Sequence, residues 1–232
     1  MTPYQYAGSE LEIFEKAHNW KAYLRHCMAP YLAGSVLEVG AGLGANTRQF
    51  AALGFDRWTC LEPDAALLQQ IQPGPAPLDR HELFLGDIGA LAPALLFDAI
   101  LYIDVLEHIQ DDSGELRRAS SHLKPGGRLI VLSPAHPWLF TPFDQAIGHY
   151  RRYTRQSLQA AAPTHLYREK LIYLDSAGLL ASLGNSLVLN SSMPTAAQIR
   201  TWDGILVPCS RWLDRVLCGT AGKSVLGVWR NV

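Results

Sequence analysis

The sequence predicts an α/β fold: a mostly parallel sheet with helices on both faces. Short apolar runs alternate with helical patterns along the chain, the order expected when crossover helices join parallel strands. One apolar run, Val36–Val39, leads directly into Gly40, Gly42 and Gly44. A glycine turn between a strand and a helix start is typical of a binding site for a polar small molecule, because free N–H groups point into it.

Each element follows from local patterns. Gly54 is expected to end the first core helix, Asp64 to cap the second, Asp112 to cap the third with Glu115 reaching back, and Thr154 to cap the fourth. The predicted strands are Val36–Val39, Trp58–Leu61, Leu83–Asp87, Phe97–Ile103, Arg128–Ser133, His165–Leu174 and Ser224–Arg230. The predicted helices are Asn46–Leu53, Asp64–Ile71, Asp112–Leu123 and Thr154–Ala161, with two further pieces separated by Pro208.

Loops and the first thirty-odd residues complete the pattern. Residues 73–77 and the proline-rich stretch 134–144 are expected to be loops. The first residues are expected to be helical up to Pro30. In the last helical piece Trp212 and Val216 share an apolar face, which could cover the sheet or a substrate site, form a dimer interface or contact a membrane.

Length and composition limit the classes of protein. The 232 residues suit one large domain, or one domain with a substantial insertion. Twenty basic and 21 acidic residues argue against a general nucleic-acid coat. The four cysteines have no metal or dense disulfide spacing, so reduced thiols and a cytoplasmic location are expected. The start of the sequence lacks a signal-peptide pattern, and no apolar run reaches transmembrane length.

Acidic side chains occur at the strand ends. Glu62 ends the second strand, where a carboxylate can accept hydrogen bonds from both hydroxyls of a ribose. Asp87 closes the third strand, and Glu38 lies inside the first, two residues before the glycine turn. Lys-Pro-Gly-Gly at 124–127 then leads into the fifth strand.

These motifs, in this order between Val36 and Ser133, resemble those of class I S-adenosylmethionine-dependent methyltransferases. The resemblance implies a Rossmann-like, seven-stranded sheet with an antiparallel last strand. It also implies an N-terminal helical lid over residues 1–34 and a methyltransferase domain over 35–232. A helical insertion on the substrate side is expected at about 176–222.

The resemblance implies S-adenosylmethionine as the cofactor. Glu38 would position the turn or the ammonium group, or else bond backbone amides as a plain strand carboxylate. Asp87 and the Ile88 N–H would hold the adenine, although Asp87 could instead be a helix cap. His108 would face the cofactor or pack under its loop. The expected cofactor-binding residues are Glu38, Gly40, Ala41, Gly42, Gly44, Glu62, Pro63, Asp87, Ile88, Tyr102, Ile103 and His108.

Residues beyond the fifth strand are candidates for acceptor chemistry. An acceptor that loses a proton needs a base, and the candidates are His149, then His136 and Asp144. Each could instead be a hydrogen-bonding loop residue. The expected substrate-binding residues are Trp138, Tyr150, Arg151 and Arg152, the arginines for an anionic or hydroxyl-rich group or, alternatively, as a solvated helix start.

The sequence thus predicts an enzyme that methylates oxygen or nitrogen of a small-molecule or carbohydrate-like acceptor, with no metal. The alternatives are a non-methylating protein that binds the same cofactor and an NAD-dependent dehydrogenase. The latter is disfavoured because Ala45 replaces the third glycine of the dinucleotide motif. A monomer or homodimer without stable membrane insertion and without a nucleic-acid substrate is expected.

Overall fold

The computed structural model describes residues 6, 11–50, 53–71, 81–186 and 195–232. Within these residues seven strands form one sheet: β1 (Ser35–Val39), β2 (Arg57–Glu62), β3 (His81–Leu85), β4 (Phe97–Ile103), β5 (Leu123–Pro134), β6 (Leu166–Leu174) and β7 (Ser224–Asn231). Their order is β3-β2-β1-β4-β5-β7-β6. Strands β1 to β5 pair in parallel, and β7 is antiparallel to both β5 and β6. The predicted seven-stranded sheet with an antiparallel last strand is confirmed.

Helices cover both faces of this sheet. The helices are α1 (Leu11–Glu15), α2 (His18–Met28), α3 (Ala45–Phe50), α4 (Ala65–Leu68), α5 (Asp112–Ser121), α6 (Pro142–Ala146), α7 (Arg155–Ala161), α8 (Ser176–Ser186), α9 (Ala196–Thr201) and α10 (Val207–Val216). Leu116 of α5 and Leu158 of α7 belong to one buried apolar cluster. Leu24 of α2, Phe50 of α3 and Val207 of α10 belong to the other. The sheet therefore separates two apolar layers, as in doubly wound α/β proteins.

Capping differs from the prediction at one helix. Asp64 caps α4 and Thr154 caps α7, as expected. At α5 the cap is Asp111, whose side chain accepts from the Gly114 N–H. The predicted cap, Asp112, is the first helical residue, because its carboxylate is held instead by the Tyr153 hydroxyl and by arginine. The predicted loop at 73–77 lies outside the described residues.

The proline-rich stretch after β5 contains a short helix that the sequence analysis assigned to a loop. Helix α6 starts with a capping box between Thr141 and Asp144. Pro142 occupies the first helical position, where a missing N–H costs nothing. The prolines that suggested a loop therefore mark a helix start.

The helices between β6 and β7 also differ from the prediction. Pro208 does not separate two pieces, because α9 continues through a π-helical turn (Trp202–Leu206) into α10. Pro208 lies in the first turn of α10, where helices tolerate proline. The predicted apolar face of α10 faces outward, with Trp212 65% and Val216 62% exposed, so it covers neither the sheet nor a buried site. No helix among the described residues is both long and apolar enough to span a bilayer.

Helix α10 instead turns polar residues inward. Asp214 is buried, and one of its oxygens accepts from the Asp175 N–H at 2.8 Å and from the Tyr23 hydroxyl at 2.8 Å. The other oxygen accepts from the Ser176 N–H at 3.0 Å. A buried carboxylate is tolerated because these donors replace water. Asp214 therefore ties α10 to the end of β6 and to α2.

We predict that Asp214→Ala lowers the free energy of unfolding by about 2–4 kcal/mol, because it leaves three buried donors without an acceptor. Urea denaturation followed by circular dichroism measures this. Asp111→Ala is the control, since it removes an exposed helix cap worth about 1 kcal/mol. Equal losses in the two variants would contradict the anchoring role.

Candidate active site

The glycine turn after β1 has the backbone shape that the sequence predicts. Gly40, Gly42 and Gly44 have φ of +67°, +55° and +71°, a region that side chains other than glycine rarely adopt. A Cβ at Gly40 would lie 2.6 Å from the Val105 side chain, and one at Gly44 would lie 2.8 Å from Ile71. Neighbours thus hold the turn tightly at both ends.

Glu62 fastens this turn to the end of β2. One carboxylate oxygen accepts from the Gly42 N–H at 2.8 Å, and the other accepts from the Asp64 N–H at 3.0 Å. Burial raises the pKa of Glu62, whereas these two backbone donors lower it. Each oxygen keeps a second lone pair. Glu62 is therefore directed into the turn rather than to bulk water, and it can still accept from two hydroxyls.

Glu38, inside β1, contacts the elements on either side of the same turn. One of its oxygens accepts from the Thr47 hydroxyl at 2.5 Å and from the Trp58 indole N–H at 2.9 Å. These are side-chain donors rather than the backbone amides of the alternative interpretation. Burial raises the pKa of Glu38 to about 7. The carboxylate joins β1 to the helix after the turn and to β2, which favours the predicted positioning role.

At the end of β3, Asp87 lies beside the same edge of the sheet. Its Oδ1 accepts from the Gly89 N–H at 2.9 Å and so caps a single 3₁₀ turn, Ile88–Ala90. The side chain of Ile88 is buried, whereas Asp87 is exposed. The cap uses only one carboxylate oxygen, so the cap and the adenine contact are compatible.

The end of β4 brings a different residue to the site from those predicted. Tyr102 is fully buried and donates its hydroxyl to Glu115 at 2.9 Å, and the Ile103 side chain is also buried. The structure therefore does not bring the Tyr102 side chain to the glycine turn. The next residue, Asp104, has φ of +53° and an exposed side chain. Although the side chain is accessible, the protein that surrounds Asp104 displaces water around it and raises its pKa to about 6, whereas the charge of His149 lowers it.

Asp144 and His149 form a hydrogen-bonded pair beyond β5. His149 Nδ1 lies 2.9 Å from Asp144 Oδ1, and Arg152 contacts both carboxylate oxygens at 2.8 and 2.9 Å. The Thr141 hydroxyl donates to the same carboxylate. These donors hold the pKa of Asp144 well below its usual range, against the effect of burial. This geometry gives Asp144 an orienting position behind His149, since a strongly acidic carboxylate is a poor base.

Glu107 and His108 flank the other side of His149. His149 Nε2 lies 3.8 Å from Glu107 Oε1, and the two histidine rings are 4.4 Å apart. Glu107 is fully buried, and burial followed by the charge of Asp104 raises its pKa well above the usual value. Burial lowers the pKa of His108 to about 4. Among the described residues, ligand atoms of Glu107, His108 and His149 lie within 4.8 Å of one another, so these three could hold a metal ion.

His136 follows β5 with φ of +66°. Its Nε2 lies 2.9 Å from the Gly222 carbonyl oxygen, and its ring packs on Tyr173 and Trp138. Burial lowers the pKa of His136. A neutral ring that donates from Nε2 keeps Nδ1 as an acceptor, so His136 retains the chemistry of a base.

The expected substrate-binding arginines have partners within the chain. Arg151 lies 2.6 Å from Asp112 and donates to the Gln110 carbonyl oxygen, and Arg152 is paired with Asp144. Trp138 and Tyr150 are 60% and 55% exposed. The arginines therefore fasten the loop to α5 and α6, which is neither a free anion site nor a solvated helix start.

Two described residues near the start of the chain, Tyr6 and Leu11, lie against the site. The Tyr6 N–H donates to Asp64 Oδ2 at 2.8 Å, and the Tyr6 ring packs on His108 at 5.7 Å. The Leu11 side chain lies 3.8 Å from where a Cβ of Gly42 would be. Tyr6 thus contacts residues that follow both β2 and β4, and Leu11 approaches the turn that follows β1.

The site has two lysines that sequence reasoning missed. Lys21 of α2 is 8% exposed, and its amine contacts the carbonyl oxygens of Phe14 and Glu15. Burial lowers its pKa to about 8. Lys223 directly precedes β7. Neither lies in a motif, and the charge of Asp104 acts on the pKa of both.

Residues 12–179 match a methyltransferase domain family. The chain belongs to this family. It is 32% identical over 153 residues to a demethylmenaquinone methyltransferase of Tropheryma whipplei, which covers 66% of this chain and 61% of that relative's own length. The fold matches an S-adenosylmethionine-dependent methyltransferase of Mesorhizobium loti (TM-score 0.62, 17% identity, 94% of this chain and 99% of that one). It also matches the N-methyltransferase NodS of Bradyrhizobium japonicum in complex with S-adenosyl-L-homocysteine (TM-score 0.58, 16% identity, 97% and 92%).

The predicted family and fold are thereby confirmed. The dehydrogenase alternative loses its basis, since the family is one of methyltransferases. The S-adenosyl-L-homocysteine in NodS agrees with the cofactor that the sequence resemblance implies.

We predict that Glu38 makes stability depend on pH. Its pKa of about 7 lies above the ordinary 4.5, so the folded chain binds more protons than the unfolded chain between these values. Stability from this group therefore falls as pH rises from about 4.5 to 7. Glu38→Gln keeps an acceptor for Trp58 without the charge. We expect its free energy of unfolding at pH 8 to exceed that of wild type by about 1–3 kcal/mol.

Denaturation curves at pH 5 and pH 8 test this expectation. Glu82→Gln, at an exposed position on β3, is the control and should leave the pH dependence unchanged. A wild type and a Glu38→Gln variant with the same pH dependence would show that Glu38 does not titrate in this range.

Proposed function

We propose that the protein is an S-adenosylmethionine-dependent methyltransferase that acts on oxygen or nitrogen of a small-molecule acceptor. The observation that carries this proposal is the glycine turn pinned by Glu62, at the carboxyl ends of parallel strands in a methyltransferase-family chain. When bound, the cofactor supplies a methyl group on a sulfonium that is already activated for in-line displacement. The protein then has to align the acceptor, exclude water and remove a proton.

The proposed cofactor contacts follow the edge of the sheet. The turn from Gly40 to Gly44 receives the methionine end, and Glu62 accepts hydrogen bonds from the ribose hydroxyls. Asp87 accepts from the adenine amino group, to which the Ile88 N–H is adjacent. Asp104, exposed at the end of β4, faces the positive sulfonium. These three carboxylates along the edge complement a ligand with a positive centre.

The proposed base is His149. Asp144 fixes the ring by accepting from Nδ1–H, so the lone pair lies on Nε2. Arg152 and Thr141 in turn hold Asp144, which makes this a rigid pair. His136 is the second candidate, through its free Nδ1. Asp144 thus acts in this proposal as a positioning residue.

The comparisons support a small acceptor. The Tropheryma relative is named for a quinone, demethylmenaquinone. The chain has nearly balanced charge, which disfavours a nucleic-acid acceptor. The exposed ring of Trp138 packs beside His136, and that of Tyr150 follows His149 in the chain; both offer flat apolar faces to a ring or sugar.

We predict that Glu62→Ala weakens the binding of S-adenosyl-L-homocysteine by about 1–3 kcal/mol, because the ribose loses a charged acceptor and the turn loses its anchor. Isothermal titration calorimetry measures this, with thermal unfolding of the free variant to confirm folding. Glu82→Ala on the neighbouring strand is the matched control. An unchanged dissociation constant in Glu62→Ala would count against the ribose assignment, and no binding by wild type would end the proposed function.

We predict that His149→Ala lowers kcat about 10²–10⁴-fold with little change in cofactor affinity, since it removes the base but not the seat of the cofactor. Product mass, measured with acceptors that wild type methylates, gives kcat and its pH profile. Asp144→Asn should lower kcat as well and move the pH profile, because the ring loses its orienting acceptor. An unaltered rate in His149→Ala would transfer the role to His136.

A further inference from the structure

Four residues from adjacent strands converge beyond the carboxyl edge of the sheet. Asp104, His136 and Asp175 follow β4, β5 and β6, and Lys223 precedes the antiparallel β7. Ser224 pairs with the last residues of both neighbouring strands, so Lys223 lies at the same edge as the strand ends. We call these four residues the edge cluster.

The backbone of the edge cluster is strained and fixed. Asp104, His136 and Asp175 all have positive φ although none is glycine, at +53°, +66° and +66°. Such strain is retained where the surrounding structure imposes it, and it concentrates at functional sites. The Lys223 N–H donates to the Asp175 carbonyl oxygen at 3.1 Å, and its carbonyl oxygen accepts from the Ala135 N–H at 2.8 Å. The position of Lys223 is therefore set from both sides.

The carboxylates near Lys223 are already engaged elsewhere. Asp175 accepts from the Gly178 N–H, the Ser210 hydroxyl and the Trp202 indole N–H. Asp144 is held by Arg152 and His149. Within the described residues the amine of Lys223 has no carboxylate within 4.0 Å, although Asp175, Asp144 and Asp104 all influence its charge.

Lys223 lies some distance from Asp104, the remaining acid of the edge cluster. Strands β5 and β7 follow β4 in the sheet, so Asp104 and Lys223 are two strand spacings apart, about 10 Å. Across this distance the charge of each residue still acts on the pKa of the other: Lys223 lowers that of Asp104, and Asp104 raises that of Lys223. Burial lowers the pKa of Lys223, and an anionic group beside its ammonium would offset the hydration that burial removes.

We propose that Lys223 selects the methyl acceptor by binding an anionic group on it, a carboxylate or a phosphate. The acceptor is then a small acid that also carries the hydroxyl or amine to be methylated. Lys223 holds the acid group at the β7 end of the edge cluster, and the nucleophile points back toward the cofactor beside Asp104. This inference rests on the proposed methyltransferase function. Lys223 rather than Arg151 or Arg152 then recognises the anion, because the charges of both arginines are neutralised within the chain.

The test compares matched ligands on protein saturated with S-adenosyl-L-homocysteine. Hydroxybenzoates and the corresponding hydroxybenzamides share ring and hydroxyl but differ in charge, and aliphatic hydroxy acids with their amides extend the panel. Inorganic phosphate distinguishes a phosphate site from a carboxylate site. Calorimetry should show at least one acid bound about ten-fold or more tighter than its amide, the scale of a charge-assisted hydrogen bond.

Lys223→Met should abolish this preference while the dissociation constant of S-adenosyl-L-homocysteine stays within about two-fold, and Lys223→Arg should restore part of it. Lys124→Met is the control, because Lys124 lies at the start of β5, on the opposite edge of the sheet. The inference is overturned if wild type prefers no acid, or if a folded Lys223→Met variant keeps the preference. It is also overturned if Lys223→Met loses cofactor affinity instead. Loss of cofactor binding in wild type would refute the proposed function itself, so the two failures are distinguishable.

Discussion

The hydrogen bonds of Glu62 are the constraint on which the site depends. Backbone carbonyl oxygens accept from the N–H groups at the ends of the glycine turn, Leu61 from Gly40 and Ala41 from Gly44, whereas the Gly42 N–H in the middle is satisfied by a side chain. That side chain is Glu62, which bridges the Gly42 N–H after β1 and the Asp64 N–H after β2. The same carboxylate is also the group that a ribose would meet. In the proposed function one side chain therefore serves both to anchor the turn and to recognise the ligand.

A second constraint organises the acceptor side. Asp144 is fully buried and receives hydrogen bonds from Thr141, His149 and Arg152. It thereby caps the start of α6, orients the His149 imidazole and holds the loop that contains His149 and Arg152 in place. A buried charge with this many donors is stable, whereas removal of one partner would leave the others uncompensated. Asp144, which is itself neutralised by Arg152, therefore holds the proposed base His149 in a fixed orientation.

Local spacing was enough to predict the glycine turn and two of the helix caps, but not the contacts between residues that are far apart in the sequence. The glycine turn, Glu62 and the caps at Asp64 and Thr154 lie within a few residues of the elements they serve. Asp104 and Lys223 are far apart in sequence and become neighbours only through the strand order β4-β5-β7-β6. The apolar face of α10 does not cover the sheet as one interpretation of its pattern predicted, because polar side chains can also face inward where they find partners. The inward side of α10 contains Asp214, which finds enough donors there, as well as the apolar Val207.

The π-helical turn before α10 ties distant parts of the chain together through Asp203. Its carboxylate accepts from the N–H groups of Asn19 and Trp20, in the first turn of α2, at 3.1 and 2.8 Å. Trp20 also packs on Trp202 at 5.6 Å. Any outward swing of the amino-terminal helix must therefore carry α10 with it or break these bonds. In the proposed function, exchange of the spent cofactor and release of the methylated product would then depend on the same helix movement.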